Sequence, residues 1–290
     1  MTTPGIAYTR APHQPGALSE RDAYFFDLNG FIVVRGALAA DEVAACNRVM
    51  DGLQRLKVGE WDGCVHGHSY GARDGVNLQQ IYEAGEPFER LIDHPSWYEK
   101  ARAFVGGEGT FDYDQGPMYV DECFANFRGP GEAIPMHSGG YEVSKRCQYQ
   151  FRDRRFHCSQ VNVLMAFGDV GPGDGATMLV PGSHKSNLPH PDNATRGWNT
   201  GLSMEGVEAA VEIHLRAGDA LIFVDAIMHG SAARQNPGQR RTAVYRYGPS
   251  WGGSRHGYRP SAELLARLNP LRRQLLQPLA PKLPPVAALV

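Results

Sequence analysis

Two histidines and one arginine, well separated in the chain, have the surroundings of a small-molecule metal site. His137 sits in "IPMHSGGYEV", on the exit of a strand-and-loop segment, and His229 stands where the apolar run "DALIFVDAIMHGS" ends. Histidines at the ends of sheet strands converge at the mouth of a barrel, where small-molecule sites are commonly built. A neutral imidazole suits iron, zinc or copper, and two of them with a carboxylate and open positions form the face of a non-haem iron site. Arg240 follows His229 by eleven residues (240 − 229 = 11), at the start of the next strand. A strand–turn–strand return is expected to bring it back beside His229, where a guanidinium grips a carboxylate bidentately. Arg241 should point to the opposite face, because side chains alternate along a strand.

The partner acid is the difficulty. Two positions after His137, where a carboxylate would complete the face, the chain has Gly139. Asp225 lies four residues before His229, an even separation that would put both on one face of a single strand, and Glu142 lies three after Gly139. Gln160 and Asn162, in "CSQVNVLMAF", alternate with valines and so share a face. If buried, they need partners, and a bound oxoacid is one candidate against plain solvent exposure. In "GPGDGATMLVPGSHKSN", Gly173, Asp174 and Gly175 suit a tight turn, and His184 reads as a structural hydrogen-bonding residue. A zinc hydrolase would need a third ligand, for which His157 or His214 would have to serve. A binding module without turnover is a further alternative. Serine or cysteine nucleophile signatures and phosphate-binding glycine loops are not found.

The elements that must position these residues follow from periodicity. "SERDAYFFDLNG" opens with Ser19 as N-cap and stops at Gly30, "FIVVRG" is a short strand, and "LAADEVAACNRVMDGLQRL" has helical spacing. Residues 58–85 have weak periodicity and read as a long loop or lid, and "HPSWYEKARAFVG" returns to helix. From Thr110 onward short apolar or alternating runs recur between turn clusters such as "GPGDG" and "NPGQ", the texture of a jelly roll. "PSAELLARLNPLRRQLL" reads as a broken helix. The expected class is α+β, mainly β: a single domain over 19–275 with N-terminal helices buttressing a jelly-roll core, a flexible arm at 1–18 and a Pro-rich tail at 276–290. The stretch 141–155 completes the expected lid. Its Lys145, Arg146, Arg152, Arg154 and Arg155 would meet an anionic substrate, or merely form a solvated charged loop.

Composition excludes several classes. With 29 basic against 31 acidic side chains among 290 residues, bulk attraction to nucleic acid or anionic membrane is not expected. The five cysteines are odd in number and form no CxxC pair, so neither a disulfide framework nor a thiolate zinc site is indicated, and a cytoplasmic setting is expected. No apolar run approaches the ~20 residues that span a bilayer.

"DALIFVDAIMHGSAARQNPGQRRTAV", "GDVGPGDGATMLVPGSHKSN" and the opening "FFDLNGFIVVRGALAADEV" together resemble the phytanoyl-CoA dioxygenase family of Fe(II)- and 2-oxoglutarate-dependent oxygenases, over roughly residues 20–250. The resemblance implies a double-stranded β-helix and the cofactors Fe(II), 2-oxoglutarate and O2. It also implies His137 and His229 as metal ligands, Arg240 as the 2-oxoglutarate anchor, and a small-molecule substrate. The family pattern is His-x-Asp or His-x-Glu, so Gly139 is a departure. Among such oxygenases a Gly or Ala at this place marks aliphatic halogenases, in which chloride takes the vacated position. Three outcomes stay open: halogenation at Gly139, hydroxylation with Asp225 or Glu142 supplying the acid, or a decayed site.

Overall fold

The computed structural model describes residues 6–7, 13–71, 73–107, 116–250 and 258–277. In chain order the elements are β1 (Ile6–Ala7), α1 (Glu20–Asn29), β2 (Phe31–Val34), α2 (Ala40–Leu53), β3 (Trp61–Asp62), β4 (Val65–His68), β5 (Val76–Gln79), α3 (Glu86–Glu89), α4 (Tyr98–Phe104), β6 (Met118–Arg128), β7 (Tyr149–Arg152), β8 (Arg155–Cys158), β9 (Val161–Ala166), β10 (Thr177–Leu179), α5 (Asn193–Arg196), β11 (Val211–Ile213), β12 (Ala220–Val224), β13 (His229–Ser231), β14 (Arg240–Pro249), α6 (Ala262–Arg267) and α7 (Pro270–Leu276).

An eight-stranded sheet runs β2-β12-β9-β14-β6-β5-β4-β3, a four-stranded sheet runs β1-β11-β10-β13, and β7 and β8 form a separate hairpin. This is the mainly β, jelly-roll architecture expected from the strand texture. Helix α1 starts where Ser19 accepts from Asp22 N–H and Asp22 returns the bond to Ser19 N–H. It stops where Gly30 adopts φ +84°, so both ends fall where the sequence puts them. The helices cover one face of the large sheet. Tyr245 and Tyr247 of β14 point to them and donate to Phe88 O (2.6 Å) and Ile92 O (2.9 Å), so large rings are buried without stranding their hydroxyls. Removing either ring would cost about 3–5 kcal/mol by the usual large-to-small rule.

Four expectations need correction. Residues 58–85 are not one loop: β3, β4 and β5 extend the large sheet at its edge, pairing through Leu78↔Ala125 onto β6. The arm 1–18 is partly built in. Ile6–Ala7 pairs in parallel with Val211–Glu212, and buried His13 contacts Asp22 at 2.6 Å, which Lys100 also reaches at 2.5 Å. The run 219–231 is two strands rather than one, because the chain leaves the large sheet at Val224 and joins the small sheet at His229. Asp225 therefore does not share a strand face with His229. By the same crossover Arg240 is not returned to a strand beside His229, since β13 belongs to the small sheet and β14 to the large one. The tail from 278 onward lies outside the described residues.

Candidate active site

The two sheets enclose a polar seam. Along β14, Arg240, Thr242, Val244 and Arg246 alternate with Arg241, Ala243, Tyr245 and Tyr247, and the first set turns inward. Directly opposite them on β6 stand Arg128, Asn126, Phe124 and Glu122, and Asn162 of β9 lies opposite Arg246. Arg241 points the other way, as expected, to Asp51 of α2 at 2.7 Å.

His229 heads β13, and the extended segment 134–137 lies antiparallel to it. His137 N–H donates to His229 O (2.9 Å), His229 N–H donates to His137 O (3.0 Å), and Ser231 N–H donates to Ile134 O (2.9 Å). That approach requires Gly230, since a Cβ there would come within 2.6 Å of Ile134 O. The result sets the two imidazoles side by side, with ring centroids 4.0 Å apart. In each ring Nδ1 donates to the carbonyl two residues back, Pro135 O at 2.9 Å for His137 and Ile227 O at 2.7 Å for His229. With the Nδ1 proton so engaged, the neutral tautomer keeps its lone pair on Nε2, the state a metal needs. Burial pushes both imidazoles below their usual range, and for His137 the neighbouring His229 adds to it. Two adjacent, neutral, oriented imidazoles fit a divalent metal. Among the described residues no group of three or more His, Cys, Asp or Glu gathers to hold a metal.

Gly139 follows through a turn in which Ser138 has φ +63° and Gly139 has φ +143°. A Cβ on Gly139 would lie 2.6 and 2.8 Å from ring atoms of Tyr141 and 2.9 Å from Met228 Cε. Backbone strain and neighbouring side chains both disfavour any other residue here. Asp225 is buried nearby and held by others: Arg146 Nε donates at 2.8 Å, Asn162 Nδ2 at 3.0 Å and Ser138 Oγ at 3.4 Å. Burial works to raise its carboxyl, but the nearby His229 imidazole and the Arg246 and Arg146 guanidiniums outweigh it and hold the group below the usual carboxylate range.

The other end of the seam is rich in cations. Arg128, Arg234 and Arg240 are all buried, and each has an Nε without a hydrogen-bond partner. Arg240 donates to Gly175 O, and Arg128 crosses between the sheets to donate to Ser231 Oγ at 3.0 Å. Burial and then the neighbouring guanidiniums Arg128 and Arg234 push Arg240 well below its usual value, while burial brings Arg128 down to about 10. Thr242 Oγ1 and Asn126 Oδ1 on the same face also lack partners. Arg234 is paired with Asp174 at 3.2 Å, whereas Arg128 and Arg240 form no ion pair among the described residues. Buried charge without a counter-ion is costly, and this end fits the carboxylate of an oxoacid. Arg128 had no signal in the sequence, since its significance lies in the strand opposite it.

Gln160 and Asn162 are both buried. Gln160 Nε2 donates to Asp121 (2.7 Å) and Asn162 Nδ2 to Asp225, and each amide oxygen lacks a partner. His184 is structural, its Nε2 donating to Asp27 O at 3.0 Å. His157 stands on the β7–β8 hairpin, and His214 contacts Glu212 at 2.8 Å. A cavity of about 470 Å³ opens beside His137, lined by Tyr70, Phe124, Trp198, Glu142, Arg146 and Arg246 among others. Of the five basic residues in 145–155, Arg146 alone lines it. No helix among the described residues is long and apolar enough to cross a membrane.

Comparison with known proteins agrees with this fold. The family model for phytanoyl-CoA dioxygenase (PhyH) matches residues 26–242. The dioxygenase cdmD of Talaromyces verruculosus is 26% identical over 86% of this chain and 80% of its own length. Rat peroxisomal phytanoyl-CoA dioxygenase is 23% identical over 80% and 69%. Among solved structures, HygX from Streptomyces hygroscopicus with nickel and 2-oxoglutarate bound superposes with a TM-score of 0.66 at 24% identity, covering 86% of this chain and 94% of HygX. The epimerase SnoN in complex with Fe3+, alpha ketoglutarate and nogalamycin RO superposes with a TM-score of 0.54 at 20% identity, covering 79% and 82%. With the family model covering most of the chain, this protein belongs to the phytanoyl-CoA dioxygenase family of iron- and 2-oxoglutarate-dependent oxygenases.

Proposed function

We propose that the protein oxidises a C–H bond of a small molecule and completes the reaction by halogenation, with chloride taking the position that Gly139 leaves without a carboxylate. Iron(II), 2-oxoglutarate and O2, when bound, supply the oxidant. His137 and His229 hold the metal through Nε2, each oriented by a backbone carbonyl on its Nδ1 side. Arg240, with Arg128 beside it, takes the distal carboxylate of 2-oxoglutarate and is neutralised by it. Asn162 and Gln160 carry unpartnered amide oxygens, acceptors that reach a bound oxoacid only through a water that donates to both.

The observation that carries the halogenation reading is Gly139 itself. Its φ of +143° strains any side chain there, a Cβ would displace the side chains of Tyr141 and Met228, and those two residues make that corner weakly polar. A large, weakly hydrated anion accepts such a corner more readily than a carboxylate does. Ordinary hydroxylation is the second reading. Asp225 favours it, being a buried acid close to the two histidines, but Arg146 and Asn162 would first have to release it. Glu142 is the other acid within reach of the cavity.

The test is anaerobic loading with Fe(II) and 2-oxoglutarate, following the visible metal-to-ligand charge-transfer band with and without chloride. A band that shifts or strengthens with chloride is expected. A band indifferent to chloride would favour hydroxylation, and no band at all would overturn the metal assignment.

A further inference from the structure

The cavity beside His137 carries more chemical information than its size. Its aromatic walls are Tyr70, Phe124 and Trp198. The Trp198 ring meets the edge of His137 at 5.3 Å between centroids and is 43% exposed, so a large flat surface is left open next to the metal ligand. Three charged side chains line the same space, and two of them are already neutralised. Arg246 Nη1 is bound to buried Glu122 at 2.6 Å, and Arg146 Nε to buried Asp225 at 2.8 Å.

Glu142 is the exception. It has no cationic partner among the described residues, and its contacts are long ones with the Ser144 hydroxyl (3.5 Å) and the Cys147 thiol (3.6 Å). The cavity thus offers π faces and one uncompensated carboxylate. Aromatic faces attract cations through their quadrupoles, and a carboxylate at the rim supplies the counter-charge.

We infer that the substrate carries an ammonium group, seated between Glu142 and the aromatic walls with Trp198 as its platform. This inference rests on the oxygenase reading above and names the class of molecule its cavity selects. It also reverses the sign expected from the basic stretch 145–155, whose one residue at the cavity is tied to Asp225. A cation there leaves the Arg146–Asp225 pair intact, whereas an anionic substrate would have to compete with Asp225 for Arg146.

The test is calorimetric titration of the anaerobic Fe(II)- and 2-oxoglutarate-loaded enzyme with two matched probes, benzylamine and phenylacetate. Benzylamine is expected to bind at least about tenfold more tightly, a preference that weakens with salt. Glu142→Gln is expected to abolish the preference without changing the melting temperature, and Trp198→Ala to weaken benzylamine. Equal or tighter binding of phenylacetate, a preference unaltered in Glu142→Gln, or no benzylamine binding at millimolar concentration would each overturn the inference. The visible band recorded on the same samples separates the two claims. A band without amine preference removes the substrate class alone, and a missing band removes the reading beneath it.

Discussion

The two ends of the seam carry charge differently. At the histidine end no acid stands at Gly139, Asp225 is occupied by Arg146 and Asn162, and Glu142 lines the cavity without a cationic partner among the described residues. At the arginine end Arg128, Arg234 and Arg240 crowd together with free Nε atoms. Arg234 is paired with Asp174 at 3.2 Å, and on the proposed reading Arg240 and Arg128 take the carboxylate of 2-oxoglutarate. On the same reading the histidine end takes chloride where Gly139 supplies no carboxylate. The contrast teaches that unpartnered polar atoms, more than cavity size, mark where ligands belong.

Removing the histidine end should have the largest effect. His229→Ala should abolish the charge-transfer band and turnover, a loss of at least about a hundredfold in metal affinity by calorimetry, because one remaining imidazole holds a divalent ion poorly. Breaking the arginine end comes next. Arg240→Ala should weaken 2-oxoglutarate by about 2–4 kcal/mol, read as its Kd, since it truncates one partner of a buried charge pair. A third effect lies outside the seam and calibrates it. Burial lowers His184 from 6.5 to about 4, so the unfolded chain takes up a proton in that window while the folded one does not. Stability should therefore be intact above pH 6.5 and fall by about 3 kcal/mol as pH drops towards 4. Urea unfolding of His184→Gln should show a flatter pH profile. The smallest effect sharpens the comparison: Arg128→Met should raise the Kd for 2-oxoglutarate by about tenfold. If that Kd is unchanged, Arg240 is the sole anchor.

Much of this was legible in the chain. Ser19 and Gly30 bound α1 because capping chemistry is local, and the strand-end pattern and the family resemblance singled out His137 and His229, which the fold sets side by side. What stayed hidden depends on tertiary pairing. Strands β3 to β5 are two to four residues long and carry polar His66 and His68, too little alternation to register as sheet. The acidic pair Asp121–Glu122 interrupts the apolar pattern of β6, yet the strand continues because Glu122 is paired with Arg246. The crossover at Asp225 is disguised by "AIM", an apolar run that reads on as strand. Glu142 showed only as an acid near Gly139, since the aromatic walls of the cavity it lines, Tyr70, Phe124 and Trp198, come from distant elements.

The most direct test of the central claim is diffraction from crystals grown anaerobically with Fe(II), 2-oxoglutarate and bromide in place of chloride, using anomalous scattering to locate the halide. The account predicts a metal bound by His137 and His229, 2-oxoglutarate reaching Arg240, and a bromide on the metal beside Gly139. A carboxylate oxygen of Asp225 or Glu142 on the metal at that place, with no halide, would contradict it.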